Sequence, residues 1–380
     1  MFAICIIATL SGATSPNDYK GAAKELDMTI ERSYAYLDKL PDGIIPHSSI
    51  LDAERDAVDD ERSLLRYAED RITSLADHHA ITGSSFADSW AVIPTYADLW
   101  IVAREGQYVV DSVRDDSPAK RAGVATGDVL VAVNNIATDA AVSGFWSALG
   151  LSKTPQRAEY AARVLAAGRR DRDRVLTFKR GDDRVRTVTL TSLYRDDENR
   201  PPFSVSTFRN RTIIRFNNSL GEDGTVAAFD TVMAELPENR DVVLDLRATP
   251  SGGNTTVARA VMGWFVSKPS SYQVHNRPIE QRETGIARQW VEEVLPRPHK
   301  YRRRLPTVLV GRWTGSMGEG LAIGFDAFGA RVQGSRMAGL NGSVEDIDVG
   351  KSGLTIKLPT ERLMTIDYQP REEFVPKALR

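Results

Sequence analysis

A single cysteine, Cys5, in 380 residues rules out an intrachain disulfide and any cysteine-rich metal site. Histidine is scarce as well: His47, His78, His79, His275 and His299 are the only five, so a base that works near neutral pH has few candidates. Neither sign of charge dominates. The 49 Lys and Arg against 51 Asp and Glu leave a formal charge of −2, which gives no electrostatic ground for nucleic acid or an anionic membrane as partner. Past the first ten residues no apolar run approaches the ~20 residues of a membrane span. The run Phe2 to Leu10, followed by the small residues Ser11-Gly12-Ala13, has the pattern of a secretory h-region and cleavage zone without a basic n-region. It makes 1–16 a signal segment and a periplasmic or secreted location the expectation, with the cytoplasm otherwise. What remains suffices for two or three domains: hydrophobic residues make up 42%, and 28 glycines and 18 prolines are ordinary globular usage.

The pattern changes character along the chain. Residues 17–95 read as a helical region, with Leu26, Ile30, Tyr34 and Leu37 on one face and Leu51, Val58, Leu65, Ile72 and Leu75 on a second stripe beyond the Pro41-Asp42-Gly43 turn. Residues 96–194 read as a β-rich module: strands at Tyr108 to Val113 and Val129 to Val133, a short helix opened by Ser117-Pro118 and closed by Gly123, an amphipathic helix over Gln156 to Ala167, and a hairpin across Gly181-Asp182-Asp183. The polar segment Arg195 to Pro202 reads as a linker. From 203 to 380 strands and helices alternate, as in an open α/β sheet: strands at Thr212 to Phe216, Val242 to Leu246 and Thr307 to Val310, and helices at Thr225 to Leu236, Thr255 to Phe265 and Ser316 to Phe328. Pro269 to Leu305 reads as a polar, partly helical insertion.

Three places carry candidate chemistry. In Val308-Leu309-Val310-Gly311-Arg312-Trp313-Thr314-Gly315-Ser316-Met317-Gly318-Glu319 an apolar strand passes into a loop and then a helix. Ser316 therefore stands at a helix N-terminus, where free N–H groups and the dipole favour an oxyanion. The same spacing is an S-x-x-E capping box, which requires no chemistry. Asp245-Leu246-Arg247-Ala248-Thr249-Pro250-Ser251-Gly252-Gly253-Asn254 also joins a buried strand to a helix, and its paired glycines let backbone N–H groups approach a ligand. Asp77-His78-His79 follows the second helical stripe, where an imidazole could act as a base or simply as a helix C-terminal partner.

Asp116-Ser117-Pro118-Ala119-Lys120-Arg121-Ala122-Gly123-Val124 with Gly127-Asp128-Val129-Leu130 resembles the signature of PDZ domains, which add an extended peptide to an exposed strand edge. The Gly-Gly and Ser-x-x-Glu loops, with such a domain ahead of them, resemble the C-terminal-processing (tail-specific) serine peptidases. The resemblance implies an α/β multidomain fold: a ClpP/crotonase-like α/β core, an inserted β-rich PDZ domain and an N-terminal helical region. It also implies Ser316 as nucleophile, Met317 N–H and Gly252 or Gly253 as oxyanion donors, peptide or unfolded protein as substrate, and no metal or organic cofactor. The commoner branch of the family places a lysine where this chain has Leu340 in Gly334-Ser335-Arg336-Met337-Ala338-Gly339-Leu340-Asn341-Gly342, which excludes a Ser-Lys dyad there. The branch that includes the core of tricorn protease uses a histidine in an Asp-x-His setting, which His79 matches, with His78 as its neighbour and rival, and a C-terminal glutamate, for which Glu372, and after it Glu373, stands in a comparable region. Loss of the lysine also admits an inactive peptide-binding scaffold, and serine chemistry admits a non-peptide esterase.

Overall fold

The computed structural model describes residues 16–181, 183–195, 201–222, 224–250 and 252–377; the expected signal run and most of the linker lie outside them. Among the described residues no helix is long and apolar enough to cross a membrane.

The chain opens with α1 (Pro16–Ser33), α2 (Ser49–Asp56) and α3 (Glu61–Thr73). The second stripe is two helices rather than one because Asp60 and Ser63 form a capping box that starts α3 afresh. These helices bury Leu26, Ile30, Leu64, Tyr67 and Ile72 and end near the two-residue strand β1 (Ile81–Thr82).

A second unit follows: β2 (Leu99–Arg104), β3 (Gln107–Val113), α4 (Pro118–Arg121), β4 (Val129–Val133), β5 (Ile136–Ala137), α5 (Thr138–Ser147), α6 (Pro155–Ala167), β6 (Arg174–Lys179) and β7 (Val185–Leu190). Its sheet runs β2-β3-β4-β6-β7, with β2 at one edge. Ser117 caps α4 by accepting the Lys120 N–H, and Gly123 takes φ 75° after the helix, as the Pro and Gly positions predict.

The third unit begins with β8 (Phe203–Phe208) and β9 (Arg211–Phe216), then α7 (Gly224–Glu235), β10 (Asp241–Asp245), α8 (Thr255–Met262), β11 (Ser270–Asn276), α9 (Pro278–Thr284), β12 (Gln289–Val294), β13 (Thr307–Val310), α10 (Met317–Ala327), β14 (Arg331–Gly334), β15 (Ser343–Asp348) and β16 (Thr355–Met364). One sheet runs β14-β13-β10-β9-β8; its first four strands are parallel, and β8 is an antiparallel edge that the sequence reading missed. The expected insertion is partly helical, through α9, but it is also sheet. It supplies β11 and β12 to a second sheet, β1-β16-β11-β12, onto which β15 also pairs. Residues 317–325 of α10 are all buried, and the helix meets β11, β13 and β14.

Two tryptophans seat the second unit on the third. Trp313 Nε1 donates to the Ala97 carbonyl at 2.7 Å, and Trp100, Val102, Trp313, Ala338 and Leu340 share one buried cluster. Arg312 closes the contact by pairing with Asp111 at 2.8 Å. The loop that leads to Ser316 is therefore anchored to β2 and β3.

Candidate active site

Parallel strands β10 and β13 pair in register over Val243–Asp245 and Thr307–Leu309, so the loops that follow them emerge side by side at the carboxyl ends of the strands, where open α/β sheets place their sites. The first carries Gly252 and Gly253, the second Ser316. Ser316 adopts φ 49° and ψ −113°, a conformation that costs a non-glycine residue about 1–3 kcal/mol and persists only when its surroundings impose it. The imposing group is Glu319, whose Oε2 accepts the Ser316 N–H at 2.9 Å. The capping box is thus present; it coexists with a contact that capping does not require.

That contact is to His79. Its Nε2 lies 3.1 Å from Ser316 Oγ, across 237 residues of sequence. Its Nδ1 meets the Asn341 carbonyl oxygen at 2.5 Å, and since a carbonyl can only accept, Nδ1 carries the proton and Nε2 presents its lone pair to the hydroxyl. His78 turns elsewhere: its Nδ1 meets the Val92 carbonyl at 2.6 Å and its ring stacks on Tyr160 with centroids 4.3 Å apart. Of the two neighbours, it is His79 that the fold brings to Ser316.

Burial, and after it the positive charge of Arg371, hold the His79 imidazole below the ordinary histidine value. Burial likewise pushes the Glu319 carboxyl up to about 7, against the pull of Arg371 and of the Gly339, Ser316 and Leu340 N–H groups. Glu319 Oε1 accepts the Gly339 N–H at 2.8 Å and Oε2 the Leu340 N–H at 3.3 Å, so one carboxyl ties the serine loop to the loop that touches His79.

Gly252 lies against the hydroxyl. A methyl group on its Cα would stand 2.4 Å from Ser316 Oγ and 3.5 Å from Met317 N. Gly252 and the first N–H of α10 therefore flank the serine oxygen, whereas Gly253 packs on the backbone of Leu220, where an added carbon would come within 2.0 Å. Leu340 is 3% exposed and packed with Trp100 and Trp313, so the position of the family lysine is filled by core.

The expected glutamate requires correction. Glu372 Oε1 pairs with Lys39 at 2.8 Å rather than with His79, and Glu373 is exposed. Within the same short 3-10 turn, Arg371–Glu373, Arg371 reaches the loop beside His79 and donates to the carbonyls of Leu340 at 2.9 Å and Gly342 at 2.7 Å. Sequence reasoning passed over Asn341, Tyr34 and Arg371. Asn341 was visible only as the neighbour of Leu340 in the loop compared with the lysine motif.

Beside these groups a cleft of about 410 Å³ runs between Asp77, Leu340 and Asn341 on one side and Ala103, Glu159 and Arg163 on the other. It leads from the histidine loop to the edge of β2, where α6 is bonded.

Residues 211–375 match peptidase family S41, and residues 109–141 match a PDZ domain. No curated protein matches the sequence significantly. Among solved structures the chain is similar to a photosystem II D1 C-terminal processing protease, at 17% identity and TM-score 0.58 over 95% of this chain and 93% of that one. It is also similar to mature CPAF, at 13% identity and TM-score 0.55 over 96% and 92%. At these identities the likeness is one of fold.

Proposed function

We propose, from the premise that the chain is a serine-type peptidase with a family S41 core and a PDZ domain, that it cleaves unstructured peptides or protein tails through an acyl-enzyme on Ser316 with His79 as base. The observation that carries this reading is the 3.1 Å approach of His79 Nε2 to Ser316 Oγ, within the range expected of a nucleophile and its base. Nε2 takes the hydroxyl proton as Oγ attacks the scissile carbonyl. The tetrahedral oxyanion then develops at the start of α10, facing Met317 N–H and Gly252, where donors fixed in advance are each worth about 2.7–4 kcal/mol. His79 returns the proton to the leaving amine, and a water attacks the acyl-enzyme by the same route in reverse.

The PDZ domain serves capture or regulation in this proposal. Strand β2 is the sheet edge to which a peptide would add, and helix α6 already occupies it: Glu159 accepts the Ala103 N–H at 3.0 Å and Arg163 Nε donates to the Ile101 carbonyl at 2.9 Å. An incoming strand must displace this pair. Trp100 lies between Arg163, 4.7 Å from its ring centre, and Arg312, at 5.1 Å, so displacement reaches the loop that ends in Ser316. Export of the protein is proposed on the Phe2 to Leu10 pattern.

The test is labelling by a fluorophosphonate together with turnover of unfolded casein. Wild type should label at one serine and cleave casein, Ser316→Ala should do neither, and His79→Ala should lose both at unchanged thermal midpoint. A fully active Ser316→Ala variant would overturn the assignment.

A further inference from the structure

We propose that Asp77 and Asn341 act together as positioning residues for His79, a buried strut that takes the place of the acidic partner expected from the C-terminal tail. The inference rests on His79 being the base and deepens that reading.

Nothing in the ring of a histidine fixes which nitrogen faces the nucleophile; the partner of the other nitrogen does. Here that partner is the main-chain oxygen of Asn341, at 2.5 Å. A main-chain oxygen in a loop is only as well placed as the loop. Asn341 is held by its own side chain, whose Nδ2 donates to Asp77 Oδ2 at 2.9 Å, while Lys39 approaches its Oδ1 at 3.3 Å. Asp77, in turn, accepts the backbone N–H of His79 on Oδ1 at 2.8 Å. The bonds close on themselves: Asp77 grips the backbone of the base and the side chain of the residue whose carbonyl grips its ring. Tyr34 donates its hydroxyl to Asp77 Oδ2 at 2.7 Å, which fixes the carboxylate from the N-terminal helices. Asp77 is 4% exposed and receives three donors, so it has no freedom to wander.

The charges also favour the assignment. The imidazolium that forms during turnover faces the negative charge of Asp77 and the opposing positive charge of Arg371. The Lys39–Glu372 pair lies beyond the Asn341 side chain, and Glu319 sits beneath Ser316. With Glu372 paired to Lys39, Asp77 supplies the carboxylate next to the base. It acts through the backbone and through Asn341 rather than by touching substrate, so it is a positioning residue.

The experiment is a reciprocal exchange measured by casein turnover, pH profile and thermal unfolding on the full chain. Asp77→Asn and Asn341→Ala should each lower kcat about 10²-fold, the scale of a misplacement of about 1 Å in a catalytic group, with KM little changed. Asn341→Asp sets two carboxylates against each other and should be worse. The double variant Asp77→Asn with Asn341→Asp restores one donor facing one acceptor and should recover most of the lost kcat. Asp77→Asn should also move the acid limb of kcat/KM to lower pH, because a charge that favours the imidazolium is gone, while Tyr34→Phe leaves the limb in place. A merely structural bond would lower the thermal midpoint without moving the limb. If His79→Ala is inactive while Asp77→Asn and Asn341→Ala keep full kcat, or if the losses simply add in the double variant, the strut is wrong and the base stands. If His79→Ala keeps full kcat, the base falls and the strut with it.

Discussion

Adding one methyl group at Gly252 should separate catalysis from folding. In Gly252→Ala the new carbon would stand 2.4 Å from Ser316 Oγ and 2.8 Å from its Cβ, distances that neither group tolerates. The backbone at 252 is outside the left-handed region, so alanine introduces no conformational penalty there. A turn of the serine side chain relieves the Oγ contact, and the Cβ contact requires a small backbone shift as well. Turning its side chain about 30° from a rotamer costs about 0.5–1.5 kcal/mol, on a residue whose backbone at φ 49° is already strained. In the proposed mechanism the larger loss is in the transition state, because the methyl fills the space in which the oxyanion would form. Losing one donor's worth of stabilisation there lowers kcat about 10²–10³-fold, equivalent to about 2.7–4 kcal/mol. Gly253→Ala provides the contrast, since its added carbon falls 2.0 Å from Leu220 C and O and 2.5 Å from Gly221 N, main-chain atoms that can yield only if the segment unfolds or shifts. Casein turnover, the rate of fluorophosphonate labelling and the thermal midpoint should therefore split the two variants: Gly252→Ala inactive and mildly destabilised, Gly253→Ala strongly destabilised. A Gly252→Ala enzyme with wild-type kcat, or one as unstable as Gly253→Ala, would refute the reasoning.

Two further outcomes follow from the site and its neighbours. Because burial holds His79 below the ordinary value of ~6.5, its competent neutral form survives into mildly acid solution, and the acid limb of kcat/KM should lie below that value; a limb at or above 6.5 contradicts the environment described. Glu159→Gln combined with Arg163→Met should free the β2 edge and raise affinity for extended peptides, measured by fluorescence polarisation with the Ser316→Ala protein to prevent cleavage. Unchanged affinity would show that the pair does not guard the edge.

The parts of the fold legible in the sequence were those where burial is complete and local. Strands β10 and β13 are short apolar runs that pack into one core cluster with α7, α8 and α10, and α4 announces itself through Pro118 and Gly123. The second sheet was hidden by chemistry. In β11 the buried positions include Gln273 and His275, paired with Glu292 and Glu361 at 2.8–3.0 Å, so a core strand carries polar letters and reads as an insertion. Strand β12, with exposed Val291 and glutamates at 292 and 293, offers no clear alternation either. Ser316 and His79 could be joined only through motif resemblance, since no local pattern links residues 237 positions apart. Glu372 failed for a different reason: its buried carboxyl meets Lys39, and sequence spacing does not record which side chain of the turn reaches the loop beside His79.

The strands and turns that complete the site arrive from segments far apart in sequence. His79 is made early, yet the loop that steadies its ring is bracketed by Arg371, and β14 is stitched to Lys377 through bonds at Val332 and Gly334. A ribosome that has passed His79 but not Ser316 has produced the proposed base with nothing to deprotonate; when it reaches Ser316 it has produced the proposed nucleophile, whose neighbouring loop still awaits its clamp. In the proposed mechanism, hydrolytic competence is thereby withheld until the turn that carries Arg371 has been joined to the chain as well.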